Sequence, residues 1–240
     1  MRLSDFAALT FDCYGTLIDW ESGILAALAP WRRRAGVEAD DEGLLAAFAE
    51  VESALEAAHP AMLYSDLLVA VQMELGRRFG AAATEAEARA FGRSVKDWPA
   101  FPDSPEALAY LKRHYKLVVL SNIDRASFAE SARRLGVAFD LVVTAEDVGS
   151  YKPAPRHFEV GLAKLADMGV PKKRVLHVAQ SLFHDHVPAK RLGLVTAWID
   201  RRAGRAGGGA TAAPPEAVKP DWELPSLAAF VDLHRKETGG

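Results

Sequence analysis

Residues 7–17 read Ala7-Ala8-Leu9-Thr10-Phe11-Asp12-Cys13-Tyr14-Gly15-Thr16-Leu17. The first five form a short apolar run of β-compatible residues that stops at a carboxylate. Such a run, bounded by a turn signal, suits a strand buried on both faces of a parallel sheet. Gly15 supplies the punctuation, because a residue without Cβ turns where others clash. Asp12 therefore sits at the carboxyl end of a buried strand, in a glycine turn whose amides can hold its charge while one oxygen stays free for attack. Taken alone, the stretch reads more simply as an Asx-turn closing a strand.

Further along, the same strand-then-polar pattern repeats. Lys116 to Leu120 predicts a strand that ends in Ser121-Asn122, Leu141 to Thr144 another, Val175 to Ala179 a third, and Val195 to Ile199 the last. Helical patterns at Arg125–Leu135, Pro155–Met168 and His186–Leu192 lie between them. Strands alternating with helices imply right-handed βαβ units in an open parallel sheet. In such sheets the active site lies beyond the carboxyl ends of the strands.

From about Trp20 to Arg93 the character differs. Gly43–Ala58 and Tyr64–Phe79 carry apolar residues at helical spacing, alanine is frequent and β-branched residues are few, which favours helix. The reading is an α/β protein: a Rossmann-like parallel-sheet core (1–17 and 97–240) with an inserted all-helical cap domain (18–96). The alternative is that these helices belong to the core of a single domain. Trp98-Pro99-Ala100-Phe101-Pro102 marks the return. Ala203 to Pro220, rich in Gly, Ala and Pro, reads as an irregular surface loop, and Ser226 to His234 as a closing helix.

Composition narrows the function. The chain has 240 residues with a formal net charge of -3, which gives no electrostatic case for nucleic acid or anionic membrane. No apolar run approaches the roughly 18 residues of a membrane span, and the N-terminus lacks a secretory pattern. The single cysteine, Cys13, cannot form an internal disulfide. A soluble, cytoplasmic protein is the expectation.

The polar residues at strand ends carry the chemistry. Ser121-Asn122 offers a hydroxyl and an amide to an anionic group. Lys152, in Ser150-Tyr151-Lys152-Pro153, places an ammonium within reach of Asp12, and Asp185, in His184-Asp185-His186, adds a second carboxylate. Each alone is more often a solvated loop residue. Four in this order, each at a strand end, are not.

This order resembles the haloacid dehalogenase superfamily: Asp-x-x-x-Thr, then Ser or Thr, then Lys, then an acidic motif. Asp-x-Tyr-Gly-Thr-Leu and Leu-Ser-Asn look most like the type II L-2-haloacid dehalogenases. The wording of Thr10–Trp20, Ser94-Val95-Lys96, Trp98–Pro102, Leu120–Arg125 and His184-Asp185-His186 is similar to azetidine-2-carboxylate hydrolase. The resemblance implies Asp12 as nucleophile, with Lys152 balancing charge and Asp185 assisting hydrolysis of an ester. It also implies that Tyr14, Thr16, Ser121, Asn122 and Ser181 bind substrate.

Phosphatases of the superfamily place a second Asp two residues after the nucleophile and read Gly-Asp in the fourth motif. Here those positions hold Tyr14 and Ala179-Gln180. Asp12 and Asp185 alone make a poor Mg²⁺ site, so no metal and no cofactor are expected, and a saturated carbon is the natural electrophile. The resemblance points to a small 2-substituted carboxylic acid as substrate and admits a homodimer. Type II dehalogenases also carry a cap arginine that holds the halide; around Phe48–Glu52 this chain reads Ala49-Glu50-Val51-Glu52, which favours an amine over a halide. The expected reaction is hydrolysis of a 2-haloacid type substrate. The alternatives are ring opening of azetidine-2-carboxylate and, in another class, a Mg²⁺-dependent phosphatase. His184 and His186 read as supporting or surface groups, and Trp20 and Trp98 as pocket or seal.

Overall fold

Strand β1 (Ala8–Phe11) is buried along its whole length, as its continuous apolar run requires. The computed structural model describes residues 1–239. After β1 come four helices in succession, α1 (Trp20–Ala35), α2 (Asp41–Ala58), α3 (Tyr64–Arg78) and α4 (Glu85–Gly92), then α5 (Ser104–Leu111). Strand and helix then alternate through β2 (Lys116–Ser121), α6 (Arg125–Leu135), β3 (Leu141–Thr144), α7 (Ala145–Val148) and α8 (Arg156–Asp167). The chain ends through β4 (Val175–Ala179), α9 (Val187–Arg191), β5 (Val195–Ile199), β6 (Trp222–Leu224) and α10 (Leu227–Thr238).

The strands form one parallel sheet in the order β3-β2-β1-β4-β5-β6. This is the α/β, Rossmann-like architecture expected. Its order reverses between β1 and β4, and a crevice opens outside the carboxyl ends of strands at such a point. One correction concerns β5, which is not the last strand. Trp222–Leu224 adds a sixth, pairing in parallel with Ala197–Ile199. Three residues at a sheet edge are too few to show a period-2 pattern.

Apolar side chains cover both faces. Val118, Leu120, Val143, Phe158 and Leu165 pack on one side. On the other, Leu9, Phe11, Leu176 and Val178 belong to a cluster that continues into Trp31, Phe48, Leu67 and Phe91 of the four-helix segment. The helix starts are chemically marked. Asp19 and Asp40 accept the amides of Ser22 and Gly43 at the starts of α1 and α2, and Thr84 and Glu87 form a reciprocal capping box on α4; each cap contributes about 1 kcal/mol.

Two extended strands of chain join the four helices to the sheet, and they pair with each other. Asp19 N–H donates to Pro99 O at 2.8 Å, and Phe101 N–H to Leu17 O at 3.0 Å. Trp98 is buried beside this seam, edge-on to Tyr14 at 5.8 Å, and does not line the cavity that holds Asp12.

Candidate active site

The loop after β1 is shaped by Gly15, whose φ of 88° lies in the left-handed region and whose missing Cβ would stand 3.0 Å from the Trp20 indole nitrogen. This turn brings Thr16 back over Asp12. The Thr16 hydroxyl donates to Asp12 Oδ2 at 2.8 Å and accepts the Gln180 amide at 2.9 Å, tying the loops after β1 and β4 together.

The other Asp12 oxygen, Oδ1, accepts from Lys152 Nζ at 2.9 Å. The same ammonium donates to Asp185 Oδ1 at 2.6 Å and to Leu120 O at 2.8 Å, which uses all three of its protons. Burial favours loss of the Lys152 proton, but the two carboxylates outweigh it and hold the ammonium above its usual range. Asp12 is raised, chiefly by burial and further by Asp185, against the opposing pull of Lys152 and Thr16. Burial also pushes Asp185 up, yet Lys152 and His177 overcome it and hold that carboxyl well below the carboxylate range. The result is a carboxyl at Asp12 with a raised pKa and both oxygens held, beside a firmly ionised second carboxylate.

Asp185 is delivered by a single π-helical turn, Leu182–His186, started by Ser181. The Ser181 hydroxyl accepts the His184 amide at 3.0 Å, and its carbonyl accepts the amides of Asp185 and His186, both at 3.2 Å. Wide turns of this kind cluster at functional sites. Asp185 Oδ2 is buried with no partner, as is Ser121 Oγ. Buried oxygens left open in this way mark places where a ligand or water would bond.

Sequence reasoning missed His177, the one polar side chain pointing from the middle of Val175–Ala179. Its Nε2 lies 3.1 Å from Asp185 Oδ1 and its Nδ1 2.9 Å from Thr10 Oγ1, so it fixes Asp185 from behind. A histidine in an otherwise apolar buried strand was the available signal.

The structure brings Asp12, Tyr14, Ser121, Asn122, Lys152, Ser181 and Asp185 around one cavity, with Thr16 directly beneath it. The free space is about 30 Å³, room for roughly two waters. Two of these residues hold positions of their own. The Tyr14 hydroxyl is bonded to Ser131 Oγ at 2.8 Å. The Asn122 amide group accepts Lys152 N–H at 2.6 Å and donates to Lys152 O at 3.0 Å and Glu56 Oε1 at 3.1 Å, so it positions the lysine.

From α2, Glu52 and Glu56 enter the cavity one helical turn apart, and Trp20 from α1 also lines it. Glu52 accepts the Tyr64 hydroxyl at 2.5 Å. Burial lifts its carboxyl to about 8, against the Tyr64 hydrogen bond and with added repulsion from Asp12. Glu56 is also raised, by burial and by Glu52. His184 and His186 are buried, not at the surface. His186 Nε2 is 3.0 Å from Ala179 O, while His184 Nε2 lines the cavity without a partner, 3.6 Å from Glu56. Burial drops both imidazoles to about 4, so they are neutral near pH 7.

A divalent ion needs several oxygens in fixed geometry. Among the described residues, no three His, Cys, Asp or Glu side chains are grouped to hold one. Asp12 and Asp185 each spend an oxygen on Lys152, and the neighbouring fourth-motif side chain is the neutral Gln180. The donor set does not fit Mg²⁺. Among the described residues, no helix is long and apolar enough to cross a membrane.

The chain is 31% identical over 142 residues to an (S)-2-haloacid dehalogenase of Pseudomonas sp. (strain YL), covering 58% of this chain and 56% of that protein. That match thus spans a little over half the length of the curated relative. The fold superposes on the crystal structure of an L-2-haloacid dehalogenase with a TM-score of 0.75 and 26% identity, covering 98% of this chain and 100% of the other. It also superposes on the L-2-haloacid dehalogenase of Xanthobacter autotrophicus with chloropropionic acid covalently bound, with a TM-score of 0.77, 19% identity and coverage of 96% and 98%. The model of the haloacid dehalogenase-like hydrolases matches residues 6–182. The chain belongs to that family of hydrolases.

Proposed function

We propose that this hydrolase acts without metal at the C2 carbon of a small 2-substituted carboxylic acid, through an ester on Asp12. The carrying observation is the chain Asp12–Lys152–Asp185, closed behind by His177 and ending in an Asp185 oxygen that is buried without a partner. In the first step an Asp12 oxygen bonds to C2, and the bond from C2 to the leaving group breaks with its electron pair. In the second, water held by Asp185 attacks the carboxyl carbon of Asp12. The bond from that carbon to the ester oxygen breaks; one proton of the water passes to that oxygen, which leaves as the hydroxyl of a 2-hydroxy acid, the other passes to solvent, and the carboxylate is regenerated. Two easier steps replace one hard one. Ser121 Oγ offers a free donor to the substrate carboxylate, and residues 18–96 act as the cap that closes over it. The covalently bound chloropropionic acid in the Xanthobacter autotrophicus relative supports this reading.

A 2-haloacid is the first substrate class, in keeping with the relatives' names. A second reading concerns the leaving group. No arginine lines the cavity among the described residues, while Glu52 and Glu56 do. A departing halide would meet two acidic groups, whereas an amine would find acceptors and, at the largely protonated Glu52, a proton. Ring opening of azetidine-2-carboxylate or a similar cyclic amino acid fits that wall, the ring nitrogen leaving with the C2–N electron pair.

The test is turnover of 2-chloropropionate, fluoroacetate, azetidine-2-carboxylate and p-nitrophenyl phosphate, with and without EDTA. We expect hydrolysis of one of the three carboxylic acids, insensitive to chelator. In H₂¹⁸O under single-turnover conditions, ¹⁸O should enter Asp12, and Asp12→Asn should be inactive yet folded. Phosphatase activity that EDTA abolishes, or an active protein with no label in Asp12, would overturn the reading.

A further inference from the structure

The segment after β5 was expected to lie loosely on the surface. It is irregular, but it crosses to the helical unit and reaches the active-site cavity. Arg202, at its start, is clamped between two carboxylates. Its guanidinium donates to Glu21 Oε2 at 2.6 Å and to Glu42 Oε2 at 2.7 Å. The remaining oxygens of the same two glutamates capture the backbone further on. Glu42 Oε1 accepts Gly209 N–H at 2.9 Å, and Glu21 Oε1 accepts Ala210 N–H at 3.0 Å.

Gly207 and Gly209 sit at φ of 81° and 61°, in the left-handed region that favours glycine, and an added side chain would displace the clamping carboxylates. A Cβ on Gly209 would stand 1.8 Å from Glu21 Oε1, and one on Gly207 1.9 Å from Glu42 Oε1. The clamp buries Ala210 completely and leads directly to Thr211, which lines the cavity and donates to Gln180 Oε1 at 3.1 Å. Glu21 and Glu42 lie in the first turns of α1 and α2, so one arginine joins the sheet to both helices.

The cavity has two ends. Glu56, Lys152 and His184 also border a larger cavity of about 330 Å³. At the other end, Trp20 and Gln180 are met by Thr211.

We propose that residues 202–211 form a clamped strap whose Thr211 closes the Trp20–Gln180 end of the cavity and so limits the size of the C2 substituent the enzyme accepts. Thr211 is a specificity-determining residue, and Arg202, Glu21, Glu42 and Gly209 are positioning residues that hold it. The size selection rests on the reaction proposed above; the clamp does not. Loosening the clamp lets the wall retreat and admits longer acids, while the chemistry at Asp12 is left in place.

The experiment compares wild type with Arg202→Met, Gly209→Ala and Thr211→Ala. Each is assayed for kcat/KM on 2-chloropropionate, 2-chlorobutyrate and 2-chlorohexanoate. Hydrogen exchange is followed at the Gly209 and Ala210 amides. We expect the ratio of long-chain to short-chain kcat/KM to rise at least tenfold in all three variants. Exchange should accelerate at least tenfold in Arg202→Met and Gly209→Ala. Faster exchange with an unchanged ratio would overturn the size-selecting role, and unchanged exchange in Arg202→Met would overturn the clamp. Should wild type turn over none of the acids, the proposed reaction fails for them; the size-selecting role built on it falls too, and the exchange measurement still decides the clamp.

Discussion

The Lys152 ammonium holds one oxygen of Asp185 at 2.6 Å and leaves the other buried and unpartnered. The same ammonium holds Asp12. One cation therefore opposes the burial cost of two interior carboxylates at once, the proposed nucleophile and the group proposed to hold water.

Lys152→Met should show this directly. It strands two buried carboxylates, and breaking a buried pair from one side costs about 3–5 kcal/mol. Urea unfolding should report a loss of that order, together with loss of turnover. Adding Asp12→Asn to Lys152→Met should recover part of the stability, since one of the unpaired charges is removed. Additive losses would show that the two residues are not energetically coupled.

The buried Glu52 predicts a pH dependence with a definite sign. Its folded value of about 8 lies above the 4.5 of an ordinary glutamate. Between those values the folded protein binds more protons than the unfolded one, so this group contributes less stability as pH rises through the window. The slope approaches about 1.4 kcal/mol per pH unit for a fully offset proton. Asp12 and Glu56, also raised, act in the same direction. Denaturant midpoints of wild type and Glu52→Gln from pH 5 to 9 should diverge, the variant having the flatter profile. Parallel profiles would show that Glu52 is not neutral in the fold.

His177 touches the proposed chemistry only through Asp185. Replacing it with Leu should slow breakdown of the Asp12 ester more than its formation, by about tenfold or more. Intact-mass analysis of rapidly quenched 2-chloropropionate reactions should then find ester accumulating in His177→Leu and little in wild type. Equal slowing of both steps would mean that the residue supports the strand and nothing else.

At the seam between sheet and helices, a Cβ on Gly23 would stand 2.3 Å from Trp98 Cγ. Trp98 is fixed by a 3.0 Å bond to Ser94 and by its edge-on contact with Tyr14, so it cannot easily retreat. Gly23→Ala should destabilise by about 1–3 kcal/mol, as overpacking does. Thermal unfolding checks this, and an unchanged midpoint would show that the seam adjusts.

The fold was legible where strands were long and buried. Ala7–Phe11, Val175–Ala179 and Val195–Ile199 announce themselves as apolar runs, and the residues that follow them are bound to meet at the carboxyl edge. Asp12 and Asp185 could be placed for that reason, and Lys152 by its order among the motifs. Trp222–Leu224 could not, because three residues carry no periodicity. Tyr14 lines the cavity, and nothing in the sequence says that its hydroxyl bonds Ser131 of α6, a pairing 117 residues away. Glu56 and Thr211 were missed for the same reason: nothing local says that the last turn of a helix, or the middle of a glycine-rich loop, will face a cavity built by other elements. Gly207 and Gly209 are turn residues with positive φ, as glycine-rich composition suggests, and what the sequence hides is that two glutamates from distant helices close on them.

The paired stems have one more consequence. Because Leu17 and Asp19 on the outward path are hydrogen-bonded to Phe101 and Pro99 on the return, the polypeptide leaves the sheet and re-enters it through the same doorway. Everything strung between is, to the sheet, a single excursion of fixed footprint, whatever its length. Yet that excursion is not indifferent to the strand tips: Glu56 holds the Asn122 amide after β2, and Glu21 and Glu42 hold Arg202 after β5, so a change in the helices is felt by the groups that line the pocket.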